Sequence, residues 1–479
     1  MKKETNMKIK SLILATVVSI IVFTSCDDFL KVNPDDALPP EEALSEQKDL
    51  DKALNGMYYT LTNTSFYGCN FLVRGEVGGD DIQPIGQTAS RTENYYRFIH
   101  RINNSPEGLW SIPYGIINSA NTMLAVIDNI PETVERDNSE GEALAIRALC
   151  HFNLLLTYGT PYLKDNGTSY GVPLADRVIS EDELPSRASV ADGYKMVIED
   201  LEKAIGLLNE ETNYGHINRW AAKALLARVY LYKGDWDNAF KYADEVAQDG
   251  PYSLVSNAEY LSIWAQKENS ESVFDIDIDE TRSGNLELFG YVAGPDGYGE
   301  LIATKAFVTL ISEYPNDIRA GLFEADNNGE IRFINKYPGY NGKLPVNNVR
   351  VLRLSDIYLI AAEAALKKST PNQDKADFYL NEIRKRAVPE LTDVTATEEL
   401  ILKERRKELV MEGHRFYDAM RLGLTLNREK TPGEGTDHYL NSTDLISPNW
   451  DDYRIILAIP QAEVDVNPNI QGQQNPGYE

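Results

Sequence analysis

The sequence predicts a mainly α-helical fold: antiparallel helix pairs stacked side by side, interrupted by long loop-rich insertions with a few short strands. Three observations predict it. Residues 217–251 read as two helices joined by a tight turn, and small apolar residues on two stripes of the first helix require cover on two sides. Residues 355–386 repeat the arrangement around a turn at Pro371. Helical spacing also recurs at 109–127, 142–158 and 190–208, whereas 65–104 and 252–348 lose it.

In the first pair, Asn218 is placed to cap a helix whose Trp220, Ala224, Ala227 and Leu231 share one stripe and whose Ala221, Leu225 and Val229 share the next. Gly234-Asp235 breaks it, and Asp235 caps a second helix with Ala239, Ala243, Val246 and Ala247 inward. Gly250-Pro251 predicts a left-handed stop and then a residue that cannot continue a helix. The order Ala224-Leu225, Tyr230, Gly234-Asp235-Trp236, Ala239, Pro251 resembles a tetratricopeptide hairpin of about 34 residues. One such hairpin cannot bury its own face, so others must stack on it.

At the N-terminus, Lys2, Lys3, Lys8 and Lys10 precede an apolar run over 12–23, well short of the ~20 residues a spanning helix needs. The run ends at Thr24-Ser25-Cys26, so 1–25 reads as a lipoprotein signal peptide cut before Cys26, the lipidation site. Met7 is an alternative start, and ordinary secretion with Cys26 as a bystander is the alternative fate. An acidic tether over 26–40 leads to a helix over 41–62. Residues 65–104 read as irregular, and their aromatics argue for an ordered, functional excursion. Ser189 caps the helix at 190–208, and 272–278 alternates as a short strand. Helices resume at 355–368, 374–386, 397–412 and 415–422, and 455–460 reads as a buried extended segment. The body is one unit over 41–479, with scaffold at about 41–64, 105–250 and 350–425 and insertions at about 65–104 and 252–348.

The 479 residues carry 74 acidic and 47 basic side chains, for a net charge of −27. Loss of 1–25 removes four lysines and one glutamate and leaves the charge near −30. A surface of that sign repels nucleic acid, which excludes DNA or RNA binding as the main role. Cys69 and Cys150 are too few for a disulfide framework. The five histidines have no zinc-ligand spacing, and neither a phosphate loop nor a nucleophile elbow is present, so the sequence implies no cofactor or metal.

Several motifs, weak singly, occur together in a fixed order: Cys26-Asp27-Asp28-Phe29-Leu30, Leu54-Asn55-Gly56-Met57-Tyr58, Gly79-Asp80-Asp81, and the helical stretches 142–158 and 218–247. Glu271-Ser272-Val273-Phe274, Arg353-Leu354-Ser355-Asp356-Ile357-Tyr358, Glu404-Arg405-Arg406-Lys407-Glu408-Leu409, Leu457-Ala458-Ile459-Pro460 and Asn475-Pro476-Gly477-Tyr478 complete the set. The whole chain after the signal peptide thereby resembles the SusD/RagB family of surface nutrient-binding lipoproteins. The resemblance implies four tetratricopeptide-like helix pairs with loop-rich insertions. It further implies a non-catalytic lipoprotein, anchored in the outer membrane through Cys26 and facing the cell exterior. Such a protein captures an oligosaccharide and closes as the lid of a SusC-type TonB-dependent transporter.

A sugar site needs flat aromatic faces for the C–H side of each ring and amides, carboxylates or guanidinium groups for the hydroxyls. The insertions supply both, in Tyr67, Arg91, Asn94, Tyr95 and Tyr96 from the first and Tyr291 and Tyr298 from the second. The alternative for each tyrosine is a ring that packs a loop onto the stack; Tyr337 and Tyr340 rank lower as candidates. Glu76 with Asp80-Asp81 reads either as an acid/base or Ca²⁺ cluster, or as turn aspartates capping backbone amides, the second being favoured. The charges Arg405, Arg406, Glu408, Glu412, Arg415, Asp418 and Arg421 read as an ion-pair network across the last helices. A glycan-degrading lipoprotein, a peptide-binding member of the same family and a protein-interaction scaffold are the competing functions.

Overall fold

The structure, a computed structural model, describes residues 39–86, 90–180, 182–325, 329–428, 437–441 and 443–478; the signal peptide, Cys26 and nearly all of the tether lie outside them. Residues 47–249 supply α1 (Gln47–Leu61), α2 (Asn70–Val77), α3 (Ser90–Arg97), α4 (Gly108–Val126), α5 (Val134–Tyr158), α6 (Val190–Leu207), α7 (Arg219–Lys233) and α8 (Trp236–Asp249). The short α9 (Phe289–Ala293) follows, then α10 (Leu354–Lys367), α11 (Gln373–Ala387), α12 (Glu398–Leu409) and α13 (Arg415–Arg421). In the order α4, α5, α6, α7, α8, α10, α11, each helix lies against the next, and α1 covers α4 and α5. The stack reads as four pairs: α1–α4, α5–α6, α7–α8 and α10–α11. The chain leaves it between α1 and α4 and again between α8 and α10.

Local sequence explains the rungs. Ala221, Ala222, Ala224 and Ala227 on α7 are essentially fully buried, because alanine lets two neighbouring helices approach one helix. Asn218 Oδ1 accepts the Ala221 N–H at 2.8 Å, Ser189 Oγ accepts that of Asp192 at 3.0 Å, and Gly234 ends α7 at φ +79°. Gly250 corrects the expected left-handed stop: its φ is −69° and its ψ 157°. Pro251 forces the residue before it out of the helical region, and a Cβ at Gly250 would sit 2.5 Å from the Val246 carbonyl oxygen.

The first excursion is more regular than its sequence pattern. It holds α2, α3 and the strand β1 (Ile82–Pro84). The second holds β2 (Ser272–Ile276), α9, β3 (Leu301–Ala303), β4 (Phe323–Ala325) and β5 (Ile331–Ile334), and β6 (Val349–Arg353) leads into α10. Among the described residues these form three antiparallel two-stranded sheets, β1–β3, β2–β6 and β4–β5. The first of them clamps the two excursions together, with Ile82 opposite Ala303 and Pro84 opposite Leu301.

Beneath the excursions lies the ion-pair network, and it reaches beyond the last helices. Arg353, from β6, is 2.7 Å from Glu408 and 2.8 Å from both Glu271 and Glu412. Arg386 reaches Glu271 and Glu408 at 2.6 Å, and Arg319 reaches Glu404 at 2.6 Å. Burial alone would raise the Glu408 carboxyl, but Arg386, Arg353 and Arg319 outweigh it and hold that group well below the usual carboxylate range. Arg405 and Arg421 extend the network to Asp356, Asp418 and Glu363.

A candidate ligand-binding surface

The β1–β3 clamp decides which side chains meet at the surface. Past its end, the Ile85 N–H donates to the Glu300 carbonyl at 2.8 Å, which brings the start of α3 beside the chain that follows α9. There Arg91 donates to both oxygens of Glu287, at 2.7 and 2.9 Å, and also bonds Glu300. Its guanidinium carbon lies 4.5 Å from the centroid of the Tyr298 ring. Tyr298 meets Tyr291 edge to face at 4.9 Å. Flanked by Arg91 and Tyr291, Tyr298 remains 43% exposed.

The loop that presents Tyr298 is built by glycine. The Tyr298 N–H donates to the Tyr291 carbonyl at 2.7 Å, and the Gly299 N–H to that of Gly294 at 3.0 Å. A Cβ at Gly297 would fall 2.1 Å from the Tyr291 oxygen, so only glycine lets the chain fold back that tightly. The two carboxylates, whose hydrogen bonds hold the Arg91 guanidinium above its ordinary range, fix it as a platform and leave the cluster one negative charge in excess.

Of the residues singled out in the sequence, Arg91, Tyr291 and Tyr298 come together here. Asn94, half-buried, lies one turn along α3 from Arg91 and on the same face. The other three are corrected. Tyr67 is 3% exposed, with Asn153 Nδ2 donating to its hydroxyl at 2.9 Å; Tyr95 packs on His100; Tyr96 is fully buried, its hydroxyl 3.0 Å from His438 Nδ1. The reason is the helix that the sequence pattern concealed: the turn of α3 that sends Arg91 and Asn94 outward sends Tyr95 and Tyr96 into the core.

Glu287 and Glu300 escaped sequence reasoning, since nothing in their surroundings pairs them with an arginine about 200 positions away. Tyr59 escaped it too. It is 56% exposed and carries the Arg282 guanidinium 3.8 Å from its ring centroid, a second arginine–tyrosine platform, formed between α1 and the second excursion. Its signal was available, because on α1 Tyr59 falls off the buried stripe of Leu50, Leu54, Met57, Tyr58 and Leu61.

The acidic cluster is sealed. Glu76 is fully buried, accepts the Gly413 N–H at 2.6 Å, and is pushed up to about 7 by burial. Asp80 pairs with Arg415 at 2.7 Å and Asp81 with Arg406, so the aspartates answer arginine side chains where amide caps were expected.

Two family models match this chain: the SusD family over residues 326–478, and the family described as "Starch-binding associating with outer membrane" over 28–231. A SusD superfamily protein from Bacteroides vulgatus is 35% identical, with 91% of this chain and 99% of that one aligned at a TM-score of 0.84. A SusD superfamily protein from Bacteroides thetaiotaomicron, also 35% identical, aligns over 90% of this chain and all of its own at 0.83. The SusD-like protein P25 of Formosa agariphila is 25% identical over 96% of this chain and 98% of its own. Helix stack, paired excursions, ordered motifs and full-length similarity thus converge, and the chain belongs to the SusD/RagB family.

Proposed function

We propose that the protein binds a glycan at the cell surface without cleaving it, through the surface formed by Arg91, Asn94, Tyr291 and Tyr298. The observation that carries this reading is the exposed Tyr298 ring, held against Arg91 and Tyr291 at the junction of the two excursions. A ring held in place by its neighbours yet 43% exposed can stack on the C–H side of a sugar, and the neighbouring Arg91, Asn94, Glu287 and Glu300 meet its hydroxyls. Membership of a family that includes starch-binding, outer-membrane-associated proteins supports the same ligand class. In this reading Cys26 carries the lipid, the body faces the cell exterior, and a SusC-type TonB-dependent transporter receives the glycan beneath it. A glycan-array screen followed by calorimetry tests the binding. Stoichiometric binding with no released product, weakened by Arg91→Ala and Tyr298→Ala, is the expected result. Steady product release, or affinity untouched by both variants, contradicts it.

A further inference from the structure

The chain around Tyr298 is one-sided in charge. Residues 283–300, which carry α9 and Tyr298, hold Glu287, Asp296 and Glu300 but no lysine, arginine or histidine. Glu287 keeps 51% of its side chain exposed. Asp296, exposed two positions before Tyr298, forms no ion pair among the described residues. The cations bordering this stretch are engaged elsewhere: Arg282 lies against Tyr59 and donates to Thr62 Oγ1 at 2.6 Å, and Lys305 faces Glu330 at 3.5 Å. On α3, Arg97 is held by Asp444 at 2.8 Å. The surface therefore sets three carboxylates against the single guanidinium of Arg91.

That guanidinium is itself committed. Its Nε and Nη2 donate to Glu287 and its Nη1 to Glu300. An incoming carboxylate or sulfate must compete with those fixed partners for the remaining N–H groups, and it brings a like charge toward all three carboxylates. A sugar hydroxyl meets neither obstacle. It is uncharged, accepts from Arg91 or Asn94, and donates to a carboxylate oxygen of Glu287 or Asp296; an ionised acidic group has no proton to donate.

We infer that this surface takes glycans whose sugars carry no acidic group and excludes those bearing uronate or sulfate, with Glu287 and Asp296 setting the preference. The inference deepens the glycan-binding reading of the Arg91–Tyr298 surface and rests on it.

An array printed with neutral, uronate-bearing and sulfated oligosaccharides, followed by calorimetry with the selected oligosaccharide and its chemically sulfated counterpart, tests it. The Debye length is about 30 Å in 0.01 M salt and about 3 Å in 1 M salt, so an electrostatic exclusion operates in the first buffer and fades in the second. The neutral form is expected to bind about tenfold more tightly in low salt, with the gap narrowing to about threefold or less in high salt. Read as the ratio of the two affinities in low salt, Glu287→Gln/Asp296→Asn should close most of that gap. Asp296→Asn alone, on the exposed loop, should narrow it by about threefold and serves if the double variant fails to fold. An acidic glycan selected on the array, equal binding of both forms in low salt, a gap indifferent to salt, or a gap unmoved by the variants overturns the inference. If Tyr298→Ala still weakens binding in any of those cases, the glycan-binding reading stands without it. No binding by any glycan, or a neutral affinity indifferent to Tyr298→Ala, overturns that reading and the inference with it.

Discussion

The Arg91 guanidinium lies 4.5 Å from the centre of the Tyr298 ring, although 207 positions separate the two residues and each belongs to a different excursion from the helix stack. Nothing local to either residue requires that meeting. It follows from the three-residue β1–β3 clamp and from the glycines that turn Tyr298 back over Tyr291.

If Tyr298 is the stacking face, Tyr298→Ala lowers glycan affinity by about 1–2 kcal/mol, or roughly 5- to 30-fold. Tyr67→Phe and Tyr96→Phe, both in the core, leave affinity unchanged while lowering the melting temperature, since Asn153 and His438 each lose a hydroxyl partner. Calorimetry with the array-selected glycan, alongside thermal melts, separates the two sets.

Gly297→Ala places a methyl group against the Tyr291 carbonyl oxygen. The loop must open, so Tyr298 leaves Arg91. Affinity should fall as far as in Tyr298→Ala, with global stability within about 1 kcal/mol of wild type because the loop is a surface feature.

Arg353 sits among Glu271, Glu408 and Glu412 with 1% of its side chain exposed. Arg353→Met strands buried carboxylates and should cost about 3–5 kcal/mol in denaturant unfolding. A smaller loss than about 1 kcal/mol would show that the network is not what locks the second excursion to α12.

Glu76 yields a pH signature. Burial raises its carboxyl from 4.5 to about 7, so the folded state holds a proton that the unfolded state releases. Between those two values stability must fall as pH rises, and above about 7 the loss is complete. Glu76→Gln, which keeps an acceptor for the Gly413 N–H, removes this term. The variant should therefore gain stability relative to wild type from pH 4.5 to pH 7; a difference that stays flat across that range contradicts the assignment.

Much of the scaffold was legible because it obeys local rules. Asn218, Asp235 and Ser189 cap where their sequence contexts place them, and alanine stripes mark the inner rungs. Gly250 misled because glycine at a helix end has two uses, a positive φ or a close approach to the preceding carbonyl, and the following proline selects the second. The candidate surface was legible by region and only partly by residue. Gly, Asn and Tyr in 65–104 and 280–300 marked both excursions, but α3 is short and polar, and its period is too weak to show that Tyr95 and Tyr96 point inward. The partners of Arg91 were beyond reach, since strands as short as β1 and β3 carry no readable register.

The most direct test of glycan capture at the paired excursions is a crystal structure of the protein with the oligosaccharide selected on the array. A sugar ring lying against Tyr298, with hydroxyls on Arg91 or Asn94, is the predicted result. A well-ordered glycan bound elsewhere, with Tyr298 and Arg91 bare, would contradict it.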